Sequence, residues 1–406
     1  MTGKWIGIVG VLAILGIAYL LSGNRKAINP RVVGAAFALQ VAVAGFVIYF
    51  PWGQSLIDGL SQVVLRIMGY SRIGIEFIFG GLATENSVAS FAVNVLPIII
   101  FISALMSVLY HLRIMQVVVR IVGGALRWVI GTKAVESLNA AANIFIGHTE
   151  APLVVRPYLK SLTEPQLFAV MVSGVASIAG TVMLAYVQFG AEIKYLLAAS
   201  FMAAPGGLLM AKIIMPDEEF SAADDEHLEL GKSPHENVIL AAAVGSADGV
   251  KLAVNIGAML LAFIALIGLA NGFLGWVVGL FGFESMTLEQ IFGWVFAPMM
   301  YLLSIPWAEA QAAGALFGEK IILNEFVAYS HLTEYLAGMS ERTVTIVTFS
   351  LCGFANLSSI AILLGGLGGL LPDKKELIAR FGLKAVAAGS LSNLMSAALA
   401  GLMLPA

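Results

Sequence analysis

Charge is scarce in this chain, and cysteine is almost absent. Only 12% of its 406 residues are charged and 59% are hydrophobic, against about 25% and 45–50% in an ordinary soluble domain. At a mean hydropathy of +0.93 there is too little polar surface to wrap a water-soluble particle of this size. A cytosolic enzyme, a nucleic-acid binder and a disordered scaffold are excluded on that ground. The lone cysteine, Cys352, has no second thiol for an internal disulfide, and a net charge of −3 is too small to indicate a partner. The roughly ten-residue alternating segments of an outer-membrane barrel are missing as well. Glycine, by contrast, is plentiful at 43 residues, as expected where helices pack closely or break within a bilayer. The chain reads as a helical integral membrane protein.

The apolar run 5–21 has a single lysine, Lys4, before it and Arg25, Lys26 and Arg31 after it. That is the reverse of a secretory signal. It reads as an uncleaved span whose far end is cytoplasmic, because basic residues concentrate in inner loops. Further spans follow at about 32–51, 92–110, 163–190, 193–213, 250–272, 342–366 and 384–403, giving eight crossings with both termini outside. Residues 53–80 mix charge with an apolar face, as an interfacial helix does, and 283–305 reads as peripheral. The stretch 217–229 holds seven acids without lysine or arginine and reads as a solvated inner loop between two halves.

Two segments are too polar and too interrupted for plain spans. Residues 134–160 carry Glu136, Asn143, His148, Glu150 and Pro152, and residues 310–338 carry Glu319, Asn324, Glu325 and His331. Each is followed by a span with a polar break, SIAG (177–180) in one half and NLSS (356–359) in the other. Paired, inversely oriented broken segments point to a secondary transporter with its site at the bilayer midplane. The expected fold is all-α: a polytopic membrane protein of about eight transmembrane helices plus two re-entrant hairpins in inverted repeats, with broken helices. Its expected parts are N-terminal scaffold helices and an interfacial helix (1–111), a first transport repeat (112–213), an acidic cytoplasmic loop and connector (214–249), a scaffold span and peripheral helix (250–305), and a second transport repeat (306–406).

A carboxylate at membrane depth costs a few kcal/mol or more and ordinarily faces a partner or a water-filled cavity. Glu150 and Glu325 sit mid-segment with no adjacent base, and unwound backbone at that depth needs something polar to satisfy it. A site of Glu, Asn, Ser and Thr without a buried arginine or lysine suits hydroxyl-bearing neutral solutes better than phosphate or carboxylate. Phe354, two residues before Asn356, offers an apolar or stacking surface. Asn143, the Ile146 carbonyl, Ser177 and the Ile178 carbonyl would gather oxygens around a monovalent cation if the two breaks meet, although a lone Ser or Asn in a membrane ordinarily bonds a neighbouring helix. His111, His227, His235 and His331 fall near segment ends or in the loop and are assigned no role. Nothing reads as a metal cluster, a nucleophile elbow or a cofactor motif, so an intramembrane enzyme is disfavoured; a passive channel differs in not accumulating solute.

At these residues the chain closely resembles the concentrative nucleoside transporter family. The resemblance rests on AANIFIGHTEAPLVVRPYL (141–159), VASIAGTVMLAY (175–186), SFMAAPGGLLMAK (200–212), NEFVAYS (324–330) and LCGFANLSSIAILLGGLG (351–368), with SGNRKAIN near the start. It implies a sodium-coupled nucleoside symporter of a bacterial inner membrane, assembled as a homotrimer, each subunit having a scaffold part and a transport part. By that resemblance Thr149, Glu150 and Val182 contact the nucleobase with His148 beside them. Glu325, Asn356 and Ser359 would bind the ribose hydroxyls with Phe354 nearby, and Asn143, Ile146, Ser177 and Ile178 would hold sodium. One departure stands out: the family motif GQTE reads Gly147, His148, Thr149, Glu150 here. An imidazole offers donor and acceptor in a different geometry from an amide, and it titrates near neutral pH. Proton coupling through Glu150, Glu325 or His148 is therefore the rival to sodium.

Overall fold

A computed structural model of the chain describes residues 2–83, 91–217, 235–281 and 286–405. Every regular element among the described residues is helical. Three helices come first: α1 (Thr2–Leu20), α2 (Pro30–Tyr49) and α3 (Pro51–Phe79). Prolines open the second and third, where the missing N–H has no intrahelical partner to lose. Asn29 caps α2 by accepting from the N–H groups of Arg31 and Val32.

The same five-part run then occurs twice. The first comprises α4 (Leu96–His111), α5 (Ile114–Ile130), a hairpin of α6 (Ala134–Asn143) and α7 (Ala151–Val154), a helix broken into α8 (Glu164–Ala176) and α9 (Gly180–Gln188), and α10 (Ile193–Ile214). The second comprises α11 (Val238–Gly279), α12 (Leu288–Leu302), a hairpin of α13 (Trp307–Ile322) and α14 (Glu325–Tyr335), a helix broken into α15 (Glu341–Leu351) and α16 (Ser358–Leu370), and α17 (Lys375–Met403). Packing partners repeat too. Helix α5 lies on α6 as α12 lies on α13, and α8 packs on α10 as α15 packs on α17. The two repeats meet where α10 and α8 pack on α17 and where α4 runs along α11, while α1 and α2 lie against α17 and α10.

Length and apolar composition qualify six segments to cross a bilayer: α2, α4 with its leading turn, α8–α9, α10, α11 and α17 with its leading turn. Adding the shorter apolar α1 and the broken α15–α16 gives the eight expected. The pair α12 and α13 turns through 118° and packs back on itself rather than crossing as one rod. Of the most apolar stretch of α8–α9, 94% is buried inside the protein, against 17% for α11, so the rest of the chain leaves most of α11 uncovered.

Several boundaries differ from expectation. Helix α11 begins at Val238 rather than near 250, because Asp248 and Lys251 pair one turn apart at 3.1 Å and the helix runs through them. Helix α17 begins at Lys375 rather than 384. Helix α5 has no counterpart among the expected segments. Its buried side is Met115, Val119, Gly123, Leu126 and Ile130, a helical stripe, which Arg120 and Arg127 disguise as a run of inner-side charge. Of the acidic stretch 217–229 only Asp217 lies within the described residues, as does 286–305 of the peripheral segment.

Candidate functional site

Each hairpin tip is sewn to the break in the helix that follows it. Past Asn143 the chain unwinds, and the N–H groups of Ile144, Phe145 and Ile146 fall back on the carbonyls of Ala141 and Ala142. Ser177, extended at φ −107° and ψ 167°, ends α8. Its hydroxyl donates to the Asn143 carbonyl at 2.6 Å, and the Gly180 N–H donates to the Phe145 carbonyl at 3.2 Å. In the second repeat Asn324 caps α14 by accepting from Val327 N–H at 2.9 Å, and the Leu357 N–H donates to the Ile321 carbonyl at 3.0 Å. One further bond joins the breaks themselves: Phe354 N–H to the Ser177 carbonyl.

These four irregular stretches line a cavity of about 590 Å³, with α11 lining a further side. All of His148, Thr149, Glu150, Val182, Glu325, Phe354, Asn356 and Ser359 line it. Glu325 is buried with both carboxylate oxygens held: one accepts from the Tyr186 hydroxyl at 2.9 Å, the other from the Asn356 amide at 3.0 Å. The Asn356 carbonyl oxygen accepts in turn from Ser358 Oγ at 2.7 Å and the Ser359 N–H at 2.9 Å, and Ser359 Oγ donates to the Phe354 carbonyl. The carboxylate is thereby fixed, with lone pairs left for a ligand's hydroxyls.

The other wall is looser. Glu150 and Thr149 are open to the cavity, and one Glu150 oxygen accepts from the Gly147 N–H at a long 3.4 Å. His148 packs edge-on to Phe354, ring centroids 4.8 Å apart, and neither ring nitrogen has a partner in the protein. Buried polar atoms without partners are rare, so this face suits a ligand with its own donors and acceptors. Gly174 lies directly beneath: a Cβ there would sit 2.8 Å from the His148 Cβ.

The four residues expected to hold a cation belong to the end of α6, the unwound turn after it and the break after α8. The Asn143 amide donates to the Asn139 carbonyl at 2.9 Å, which leaves its buried Oδ1 without a partner. Ser177 Oγ lies within hydrogen-bond reach of the Asn143 and Ile178 carbonyls, and Ile146 belongs to the same unwound turn. An uncharged, all-oxygen set of this kind fits a hard monovalent cation.

Sequence reasoning missed several participants. Tyr186 closes the motif VASIAGTVMLAY, yet a tyrosine in an apolar run reads as core until its hydroxyl is seen on Glu325. From α11 the cavity takes Asp248, Lys251 and Asn255, and a neighbouring cavity of about 340 Å³ shares Asp248, Glu150 and Thr181 with it. Two buried lysines lie outside the cavity lining. Lys320 is fully buried, and Lys212 is buried on Glu136 at 2.6 Å and on Asp217 at 2.7 Å, strapping the base of the first hairpin to α10. His331, assigned no role, has its Nδ1 3.0 Å from the buried Glu319.

Comparison with known proteins places this geometry. Residues 9–82 match the family described as Na+ dependent nucleoside transporter N-terminus, and residues 195–401 its C-terminus; residues 92–192 match a Gate family described as nucleoside recognition. Nucleoside permease NupC of Helicobacter pylori is 47% identical, the alignment covering 98% of this chain and 97% of the relative. The fold is similar to that of CNTnw in an inward-facing substrate-bound state, with a TM-score of 0.94 and 47% identity over 99% of this chain and 98% of the other. A variant of CNTnw in an outward-facing state is likewise similar, with a TM-score of 0.93 and 46% identity over 99% and 98% of the two chains.

Proposed function

This chain belongs to the Na+ dependent nucleoside transporter family, and from that premise we propose that it is a sodium-coupled symporter importing nucleosides across a bacterial inner membrane as a homotrimer. Members of that family are transporters and permeases, so the chain is a nucleoside transporter and not an enzyme. In this reading the ribose hydroxyls lie on Glu325, Asn356 and Ser359, and the base lies against Thr149, Glu150 and Val182 with His148 and Phe354 beside it. Sodium at Asn143, Ile146, Ser177 and Ile178 braces the first hairpin on its broken helix and so completes the cavity. Coupling follows from linkage: an ion that tightens nucleoside binding is itself bound more tightly when nucleoside is present.

Access alternates when the hairpins and broken helices move past the α4–α11 pair, carrying the cavity with them. That motion is supported by the cavity's position between those elements and the α11 face of Asp248, Lys251 and Asn255. The five-part division of the chain belongs to the same proposal, with the contact of α1 and α2 on α17 and α10 as a shared face between scaffold and transport parts.

The observation that carries the reading is Glu325, a buried carboxylate from the second hairpin held on both oxygens at the edge of a cavity shared with the first. The test is Glu325→Gln. Each hydrogen bond to a charged acceptor is worth about 1.5–3 kcal/mol, so uridine uptake is expected to vanish while the trimer elutes unchanged on gel filtration. Normal uptake by that variant refutes the ribose role. Proton coupling through Glu150, Glu325 or His148, all of which line the cavity, is the second reading. Uptake with sodium replaced by choline, across a pH series, separates the two.

A further inference from the structure

Lys320 has no part in transport as described so far, yet it is a fully buried lysine on the last turns of the second hairpin's first helix. Its Nζ donates to the Ser350 carbonyl at 2.7 Å and to Asn393 Oδ1 at 2.7 Å. The Asn393 amide donates in turn to the carbonyls of Ala176 at 2.7 Å and Cys352 at 2.8 Å. Ala176 is the last residue of α8, Ser350 lies in the last turn of α15, and Cys352 begins the second break. One ammonium and one amide therefore gather the carbonyl ends of both helices that stop inside the bilayer. Helix C-termini carry orphan carbonyls and partial negative charge, so a cation is the complement they call for. Gly353 makes room for the arrangement, since a Cβ there would overlap the Asn393 side chain.

The two repeats solve the same problem differently. Each sets the end of its first hairpin helix against the break in the helix that follows. At the first junction Asn143 Oδ1 is buried without a partner. At the second, both polar atoms of Asn393 are partnered and the protein supplies its own positive group. We propose that Lys320 is a built-in cation: its ammonium braces the second hairpin and broken helix as sodium braces the first, so the second junction takes no ion and one sodium completes the cavity. The proposal rests on the sodium reading given above. Lys320 acts as a positioning residue, through Ser350 and Asn393, on the break that carries Phe354 and Asn356.

Two measurements on the purified full-length protein test it. First, sodium activation of uridine binding to the unmodified protein is expected to be hyperbolic, with a Hill coefficient of about 1; a coefficient of about 2 overturns the proposal. Complete indifference to sodium instead removes the sodium reading and leaves the lysine's role to the second measurement. There, Lys320→Met, close in length but neutral, is expected to bind uridine at least about tenfold more weakly at saturating sodium, the loss typical of a buried charged donor. Lys320→Ala is expected to regain binding with added n-propylammonium but not with n-propanol. Rescue by both equally means the side chain only fills space, and overturns the proposal, as does uridine binding by Lys320→Met within about twofold of the parent.

Discussion

The Phe354 N–H donates to the Ser177 carbonyl at 3.1 Å. The break in one repeat is thereby hydrogen-bonded to the break in the other, and the residue expected to meet solute touches one expected to meet the ion. On the proposed reading, sodium has a short mechanical route to the nucleoside. Binding it at Ser177 steadies the backbone from which Phe354 and, two residues on, Asn356 project.

Ser177→Ala tests that route. The variant loses the hydroxyl that donates to the Asn143 carbonyl together with one proposed ion ligand. The sodium concentration for half-maximal uptake is expected to rise about tenfold, and uridine affinity at saturating sodium to stay within about twofold. A sodium titration of uptake reads both. An unchanged midpoint contradicts the ligand role.

Tyr186→Phe removes a single donor from Glu325 and leaves the ring stacked on Tyr329, centroids 4.3 Å apart. A hydrogen bond to a charged acceptor is worth about 1.5–3 kcal/mol. The uridine KM is therefore expected to rise about tenfold or more with little change in the amount of folded protein. An unaltered KM means that Asn356 alone holds the carboxylate.

Much of the site is legible in the amino-acid sequence. Glu150 and Glu325 stand out because a carboxylate in an apolar run has few innocent explanations, and the hairpins and breaks show up as polar interruptions at matching places in the two halves. Tyr186, Asp248 and Lys320 do not show. A tyrosine blends into an apolar helix, and Asp248 lies just outside a span drawn by apolar content alone. The burial of Lys320 depends on Ser350 and Asn393, 30 and 73 residues away. Local pattern locates a group that is costly where it sits but not the distant partner that accepts it.

His148→Gln tests the titratable group at the cavity. The ring is buried and its nitrogens have no protein partner, so its charged form is disfavoured there. Uptake by the parent and by the variant is therefore expected to show the same profile over about pH 5.5–8. An acid limb present in the parent and absent from the variant means that the ring does titrate in that range.

Gly174→Val is the packing test. Its Cβ would meet the His148 Cβ at 2.8 Å and the His148 Cα at 3.5 Å. Overpacking of this kind typically costs about 1–3 kcal/mol. The expected result is a lower thermal midpoint and uridine binding weakened about tenfold, while Gly174→Ala shows a smaller change of the same sign. Binding unaffected in both means that the His148 wall does not touch the solute.

Accumulation of radiolabelled uridine in proteoliposomes under an imposed inward sodium gradient, with pH equal on both sides, tests the central claim most directly. The account predicts that internal uridine rises above the external concentration and falls back when the gradient is dissipated. Equilibration without accumulation, or accumulation driven by a proton gradient with sodium absent, would contradict it.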